Sequence, residues 1–567
     1  MSQQRDEPYD AIVVGSGITG GWAAKELCEK GLRTLVVERG RHVEHGKDYV
    51  TEWLQPWQFA HRGRGEQDLY QRDYPIQSKN YAFGEATRHF FVNDREHPYT
   101  TPDDQPFRWI RGYQLGGRSL IWGRLSWRWS DLDFEANLRD GHGVDWPIRY
   151  RDLEPWYAYV ERFIGVSGER LGLAHLPDGE FLPPWEMTCA ERYVRQGIER
   201  AFPGRHLTVT RVANLTQAHN GRGPCQARNQ CARGCSYGGY FSSLSATLPA
   251  ARATGKLTVV TDAIVHSVMY DERTDRATGV RVIDTHTKQS REYTGRLVFL
   301  CASTIGTAQI LLNSRSRRFP TGLANSSGEV GHNLMDHISK AGASGIVPGL
   351  EDKYTYGRRP TGTYIPRFRN LGTKSDGKVG FVRGYGVQAG SGREGWIRGA
   401  SAPGLGAELK QQLREPGPWR MTMQGYGECL PRHENYVDLH PERTDQWGIP
   451  LLRIHCAWSA NERAIREDVK AQTAEMLAAA GCKDVQPYDD DGPPGFSVHE
   501  MGTARMGRDP KTSVLNAYNQ THDVPNLFVT DGACMASSAW MNPSLTYMAL
   551  TARAADHAVG ELTRGAL

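Results

Sequence analysis

Ala11-Ile12-Val13-Val14-Gly15-Ser16-Gly17-Ile18-Thr19-Gly20, followed by Leu35-Val36-Val37-Glu38, is the stretch that decides this fold. The first four residues are an apolar run of strand formers that leads into a glycine-rich turn. Trp22, Ala23 and Leu27 then recur at helical spacing, and a second apolar run ends on a carboxylate. Gly15 permits a tight turn, Gly17 lets backbone approach a pyrophosphate, and Gly20 lets the helix pack close to the strand. Ile18 and Thr19 open the helix, whose N-terminal N–H groups and dipole face the phosphates. Glu38, with Arg39 beside it, stands where a carboxylate accepts hydrogen bonds from an adenosine ribose. A carboxylate there disfavours a 2′-phosphate and so NADP. The stretch predicts a dinucleotide-binding βαβ unit and leaves NAD and FAD open.

Outward from this unit, 567 residues suffice for two or more domains. An apolar fraction of 39% and a charged fraction of 23% are ordinary for a globular chain. The net charge of +4 and the lack of a long Lys/Arg block argue against a nucleic-acid partner. No apolar run reaches the length of a membrane span. Met1–Pro8 lacks an apolar core and a twin-arginine pair, which predicts no export signal of its own and leaves export on a signal-bearing partner open. Ten cysteines, scattered except for three, do not read as a disulfide scaffold.

Residues 46–107 are charged and aromatic with little periodicity, and read as loops and short helices over the nucleotide domain. The adjacent glycines of Gln114-Leu115-Gly116-Gly117-Arg118-Ser119 imply backbone running close to a planar group or to another backbone. Leu153–Phe163 opens a helical region predicted to run, with interruptions, towards Phe202. Strand patterns follow at Leu257–Val260, Ile264–Met269, Gly279–Val282 and Leu297–Leu300, and again at Trp419–Met423 and Asn435–Leu439. Helices are predicted at Ala302–Leu312, Glu462–Ala480 and Met548–Val559.

Gly15–Gly20 with Glu38, Val330-Gly331-His332-Asn333-Leu334-Met335-Asp336-His337, His499-Glu500-Met501-Gly502-Thr503 and Asn526–Gly532 together resemble the glucose–methanol–choline (GMC) oxidoreductases. Within that family Gly116–Arg124 and Asp145–Tyr150 are most similar to bacterial glucoside 3-dehydrogenase large subunits, and the stretches Ser497–His499 and Asn542–Thr546 also to the pyranose 2-oxidases. The resemblance implies an α/β fold: an FAD-binding Rossmann-like domain and a second, substrate-binding α+β domain. The FAD domain is expected from residues 8–45, 108–135, 225–337 and 497–567, and the substrate region from 136–224 and 338–496. The cofactor implied is FAD, with Gly116, Gly117, Ser119, Asp531, Gly532, Asn542, Pro543 and Ser544 joining the glycine turn around it. Ile121 occupies the position where pyranose oxidases often carry a flavin-linking histidine, so FAD is expected to be non-covalent.

The resemblance implies oxidation of a sugar or glycoside secondary hydroxyl, at C3, to the keto sugar. Flavin N5 accepts the hydride, so the protein must supply a base. His499 suits that role because imidazole titrates near neutrality. Asn542 follows as the amide that donates to the same oxygen. His332 and His337 read as structural, and the tryptophans Trp109, Trp122, Trp127, Trp129 and Trp146 as core anchors rather than sugar platforms.

Cys225, Cys231 and Cys235 can converge on one centre, with Gly234 helping the turn. A disulfide with a spare thiol, a zinc site completed by His219 and an iron–sulfur cluster are the three readings. The spacing resembles FAD-dependent glucose dehydrogenase catalytic subunits, which implies a three-iron, four-sulfur cluster and a dehydrogenase. By the same resemblance a small subunit carries the export signal, a cytochrome c-type protein accepts electrons, and the complex is periplasmic. A direct oxygen-using oxidase is the alternative.

Overall fold

The computed structural model describes residues 7–354, 359–372, 379–395, 398–399 and 402–567. Residues 1–6, which carry most of the export-signal reading, lie outside the described residues.

Tyr9–Val14, Thr34–Val37 and Leu257–Val260 run parallel, joined on the other side by the second half of Ser290–Leu300 and then Leu527–Val529. These strands are apolar at nearly every position because both faces of a parallel sheet are covered. Ile12, Val14, Leu35 and Val37 enter a core shared with Trp127, Trp129, Trp146 and Trp540. Ala11, Val13, Val36 and Phe299 enter the opposite core, with Leu27, Leu120, Leu244 and Ala555. The first half of Ser290–Leu300 pairs antiparallel with Arg276–Asp284, which pairs in turn with Ala263–Asp271.

The second sheet has six antiparallel strands in the order Lys483–Asp489, Ala341–Val347, Trp419–Gly427, Tyr385–Arg393, Thr363–Ile365, Thr208–Val209. Alternation divides its two faces. Trp419, Met421 and Met423 are buried against the helix Ala460–Ala479, whereas Arg420, Thr422, Gln424 and Tyr426 line a cavity. Gly425 lets that helix sit close: a Cβ there would lie 2.5 Å from the Val469 methyls. The helix starts on Ser459, whose Oγ accepts the Asn461 amide at 3.1 Å while Glu462 accepts the Ser459 amide at 2.6 Å. Such a cap contributes about 1 kcal/mol. Gly481, at φ +82°, follows its end.

The helical region after residue 150 is more broken than its pattern predicts. Tyr150–Ile164 and Cys189–Ala201 are helices, but Gly165 (φ +74°) ends the first, and the short paired strands Val166–Ser167 and Phe181–Leu182 intervene. The C-terminal helix is longer than expected at both ends, Ser544–Thr563, with Pro543 at its N-cap.

Candidate active site

One wall of the cavity is bare backbone. Gly15 has φ +93°, and a Cβ there would lie 2.4 Å from the Cys301 carbonyl oxygen. A Cβ on Gly20 would sit 1.9 Å from the Gly15 carbonyl oxygen, whereas Gly17 has nothing within 4 Å of that position. Gly20 therefore closes the turn, and Gly17 leaves it open to the cavity that it lines. Gly17 caps the helix Ile18–Glu29 without a side-chain acceptor, so the free N–H groups of the first turn are left for an anion.

Ser16 donates from backbone and hydroxyl to Glu38 Oε2 at 3.0 and 2.5 Å, and Gly40 N–H donates to Oε1 at 2.9 Å. Burial raises the Glu38 carboxyl against these bonds. Arg39 lies over the Tyr113 ring at 4.0 Å. The Gly116–Gly117 pair does approach another backbone: a Cβ on Gly117 would lie 3.3 Å from Gly17 Cα, and Gly116 N–H donates to Ser16 Oγ at 2.9 Å. Ser119 ties the same segment inward, donating to Gly116 O and accepting from Ser243 N–H.

The facing wall is made of side chains. His499 Nε2 stands 3.0 Å from Asn542 Nδ2, and the Tyr426 ring is 6.1 Å from the imidazole. All three line the cavity together with Asp531, Gly532, Pro543 and Ser544. Asp531 is held by Thr307 (2.5 Å) and the Ala533 amide (2.9 Å), and its burial pushes the carboxyl up to about 6. Gly532 is bare because a Cβ would lie 2.3 Å from Thr304 Oγ1. Burial first, then the neighbouring His337 imidazole and Arg118 guanidinium, hold His499 well below the ordinary imidazole range. His499 is therefore neutral at pH 7 and able to take a proton.

Several residues that sequence reasoning left without a role build this wall. Asp336 is fully buried and accepts the Gly495, Ser497 and His499 amides at 2.8, 3.3 and 3.1 Å, besides the Ser497 hydroxyl. These bonds hold Val498 at φ +61°, a conformation that a β-branched residue adopts only when its surroundings impose it. Glu500 binds Arg118 bidentately at 2.8 and 3.1 Å. His337 Nδ1 lies 2.9 Å from His499 Nδ1, and Gln388 Nε2 donates to Asn542 Oδ1 at 3.2 Å. His332, by contrast, stacks on His433 at 3.7 Å, away from the base. Trp127, Trp129 and Trp146 are fully buried, while Trp109 and Trp122 line the cavity.

The cavity volume of about 1970 Å³ exceeds the roughly 300–1,000 Å³ typical of small-ligand pockets. It has room for an extended dinucleotide and a substrate together. Residues 9–339 and 431–551 match the N-terminal and C-terminal family profiles described as GMC oxidoreductase.

The chain belongs to the GMC oxidoreductase family.

A 2-methyl-1,2-propanediol dehydrogenase from Mycolicibacterium austroafricanum is 29% identical over 97% of this chain and 94% of the relative. The fructose dehydrogenase large subunit of Gluconobacter japonicus is 27% identical over 98% of both. A pyridoxine 4-oxidase from Mesorbium loti shares the fold, with a TM-score of 0.60 at 18% identity over 97% of this chain and 99% of its own. Membership implies FAD, and the bare turn at Gly17, the uncapped helix, Glu38 and the cavity volume fit that group. As a GMC oxidoreductase the protein acts on CH–OH donors. No helix among the described residues is long and apolar enough to cross a membrane.

The thiols of this GMC oxidoreductase depart from the expectation. Cys225, Cys231 and Cys235 are all free, which corrects the disulfide reading. His219 Nε2 is 2.7 Å from the Arg162 carbonyl, and His219 joins no group of side chains among the described residues that could hold a metal ion, which corrects the zinc reading. Burial raises the Cys225 and Cys235 thiols, and at Cys225 the other two add to the rise. Yet no three His, Cys, Asp or Glu side chains among the described residues stand where they could hold a metal ion. The segment is tied outward instead: Cys225 N–H bonds to Leu215 O at 2.9 Å, and buried Glu52 takes the Ser236 amide and the Arg228 guanidinium. A metal cluster does not fit this arrangement as it stands, and no step is routed through one.

Proposed function

We propose that this protein is an FAD-dependent dehydrogenase that oxidises a secondary hydroxyl of a sugar or glycoside, at C3, to the ketone. The observation that carries the reading is the His499–Asn542 pair at 3.0 Å, facing a polar floor of Gln388, Thr422, Gln424 and Tyr426. When bound, the flavin supplies the hydride acceptor. A substrate hydroxyl that meets both groups donates its proton to neutral His499 Nε2 and accepts from Asn542 Nδ2. The amide stabilises the oxygen as negative charge develops on it. Arg118 and Glu500 neutralise each other beside the base, so the site gains no unpaired charge. Non-covalent FAD is supported by Ile121, a buried cavity residue without a nucleophile.

The C3 position rests on the likeness of Gly116–Arg124 and Asp145–Tyr150 to glucoside 3-dehydrogenases. The "large subunit" in a relative's name supports a smaller partner subunit; an export signal on that partner, a cytochrome c-type acceptor and a periplasmic location rest on the likeness to glucoside 3-dehydrogenases alone. An iron–sulfur relay has three neighbouring free thiols in its favour and their failure to form a ligand set against it. That failure favours the second reading, an oxidase that passes electrons to oxygen.

Incubation with methyl glucoside, a dye acceptor and no oxygen tests both. A 3-keto product seen by NMR, with no oxygen uptake under air, supports the dehydrogenase. Oxidation at another carbon refutes the C3 assignment, and hydrogen peroxide formation refutes the dehydrogenase. Iron and acid-labile sulfide in anaerobically purified protein decide the relay.

A further inference from the structure

Five groups from four separate parts of the chain form one line of hydrogen bonds through the active site. Gln388 Nε2 lies 3.2 Å from Asn542 Oδ1, and Asn542 Nδ2 lies 3.0 Å from His499 Nε2. His499 Nδ1 lies 2.9 Å from His337 Nδ1, and His337 Nε2 lies 2.9 Å from the Ser538 carbonyl oxygen. We propose that His337 is a positioning residue whose bond to the Ser538 carbonyl sets the tautomer of His499 and presents a bare Nε2 to the substrate hydroxyl. The inference rests on His499 being the base.

The line has one consistent polarity. A carbonyl oxygen only accepts, so His337 Nε2 carries a hydrogen. A neutral His337 then has a lone pair at Nδ1. Neutrality is supported by complete burial, which holds this imidazole down at about 4. Two lone pairs cannot face each other at 2.9 Å, so His499 Nδ1 carries the hydrogen. His499 Nε2 is left bare, and the Asn542 amide nitrogen faces it as a donor. The amide oxygen of Asn542 is satisfied by Gln388, a residue whose strand position points into the cavity, and this fixes the orientation of the amide. Arg118, Glu500, Tyr426 and Asp336 also surround His499. Asp336 reaches it only through the backbone amide, and Arg118 is committed to Glu500. His337 is therefore the neighbour that decides which ring nitrogen holds the proton. Once His499 takes the substrate proton, its Nδ1–H still has the same acceptor, so no rearrangement is needed.

The polarity can be read without substrate. In FAD-loaded protein labelled with imidazole-15N histidine, two-bond 1H–15N correlations at pH 8 are expected to show His499 protonated at Nδ1 and His337 at Nε2. The His499 signals are assigned by their loss in His499→Gln. A His499 protonated at Nε2 overturns the proposal whatever the substrate proves to be. The second arm is kinetic. His337→Leu is expected to lower kcat about 100-fold, the low end for loss of general-base action, and to leave KM within about twofold, since His337 does not reach the substrate. His337→Gln keeps an acceptor for His499 Nδ1 and a donor for Ser538, and is expected to recover at least about tenfold of that loss. Equal rates in the Leu and Gln variants, whether slow or fast, overturn the proposal.

Discussion

The two walls of the cavity do different work with different materials. The nucleotide wall is glycine backbone: Gly15 and Gly20 are packed so closely that a Cβ is excluded, Gly117 lies against Gly17, and Gly17 leaves its own Cβ position open to the cavity. The catalytic wall is titratable side chains, buried at Asp336, His337, Glu500 and Asp531 and half-buried at His499. A wall of backbone does not titrate, and at Gly15 and Gly20 it tolerates no added atom. A wall of buried acids and imidazoles tolerates conservative change in shape, but its charge state governs the chemistry. Cofactor retention and turnover should therefore be separable by mutation and by pH.

At Gly20 the expected effect is loss of the cofactor itself. A Cβ 1.9 Å from the Gly15 carbonyl is backbone against backbone, and Gly20→Val should leave protein with less than about a tenth of the wild-type flavin content, since such overpacking costs at least 1–3 kcal/mol. Absorbance at the flavin bands per chain measures it. A fully loaded variant would break the distinction between the walls. Next, His499→Ala is expected to keep its flavin but reduce it about 10²- to 10⁴-fold more slowly, as measured by single-turnover bleaching.

The third expectation concerns pH. His337 falls from the ordinary 6.5 to about 4 on burial, so the unfolded chain binds this proton first. The stability it contributes is complete above pH 6.5 and is lost as pH falls towards 4, on the order of 3 kcal/mol. Asp336, raised to about 6, acts in the opposite sense and gains stability as pH falls from 6 to 3.8. Removing only the first term, His337→Gln should show a flatter acid limb of Tm against pH than wild type; an unchanged limb would refute the assignment. The smallest effect is expected at Cys231, which lines the cavity but belongs to neither wall. Cys231→Ser should leave flavin content and single-turnover reduction within about twofold, a change below about 0.4 kcal/mol.

The nucleotide wall was legible because glycines at fixed offsets have few other uses: Gly15 and Gly20 mark contacts that a Cβ would block, and Gly17 marks backbone left open to the cavity. Strands buried on both faces were legible as continuous apolar runs. The pairing of His499 with Asn542 came from family likeness, since a lone histidine and a lone asparagine carry no local signal. The contact of His337 with His499 was not legible because the two lie 162 residues apart, and Gln388 was missed because nothing in a strand's alternation says which polar residue faces a site. The interruption expected in the helical region falls after Ile164, at Gly165 (φ +74°) and the short paired strands that follow it. The thiol spacing gave proximity but not convergence, because Glu52, which holds the segment at Ser236, lies 184 residues away.

The central claim is that His499 takes the proton of a glycoside hydroxyl beside the flavin, and anaerobic single-turnover mixing with methyl glucoside tests it most directly. The account expects the wild-type flavin to bleach and the flavin-loaded His499→Ala protein to bleach at least about 100-fold more slowly. Equal bleaching rates in the two proteins, or a wild-type flavin that stays oxidised with every glycoside offered, would contradict it.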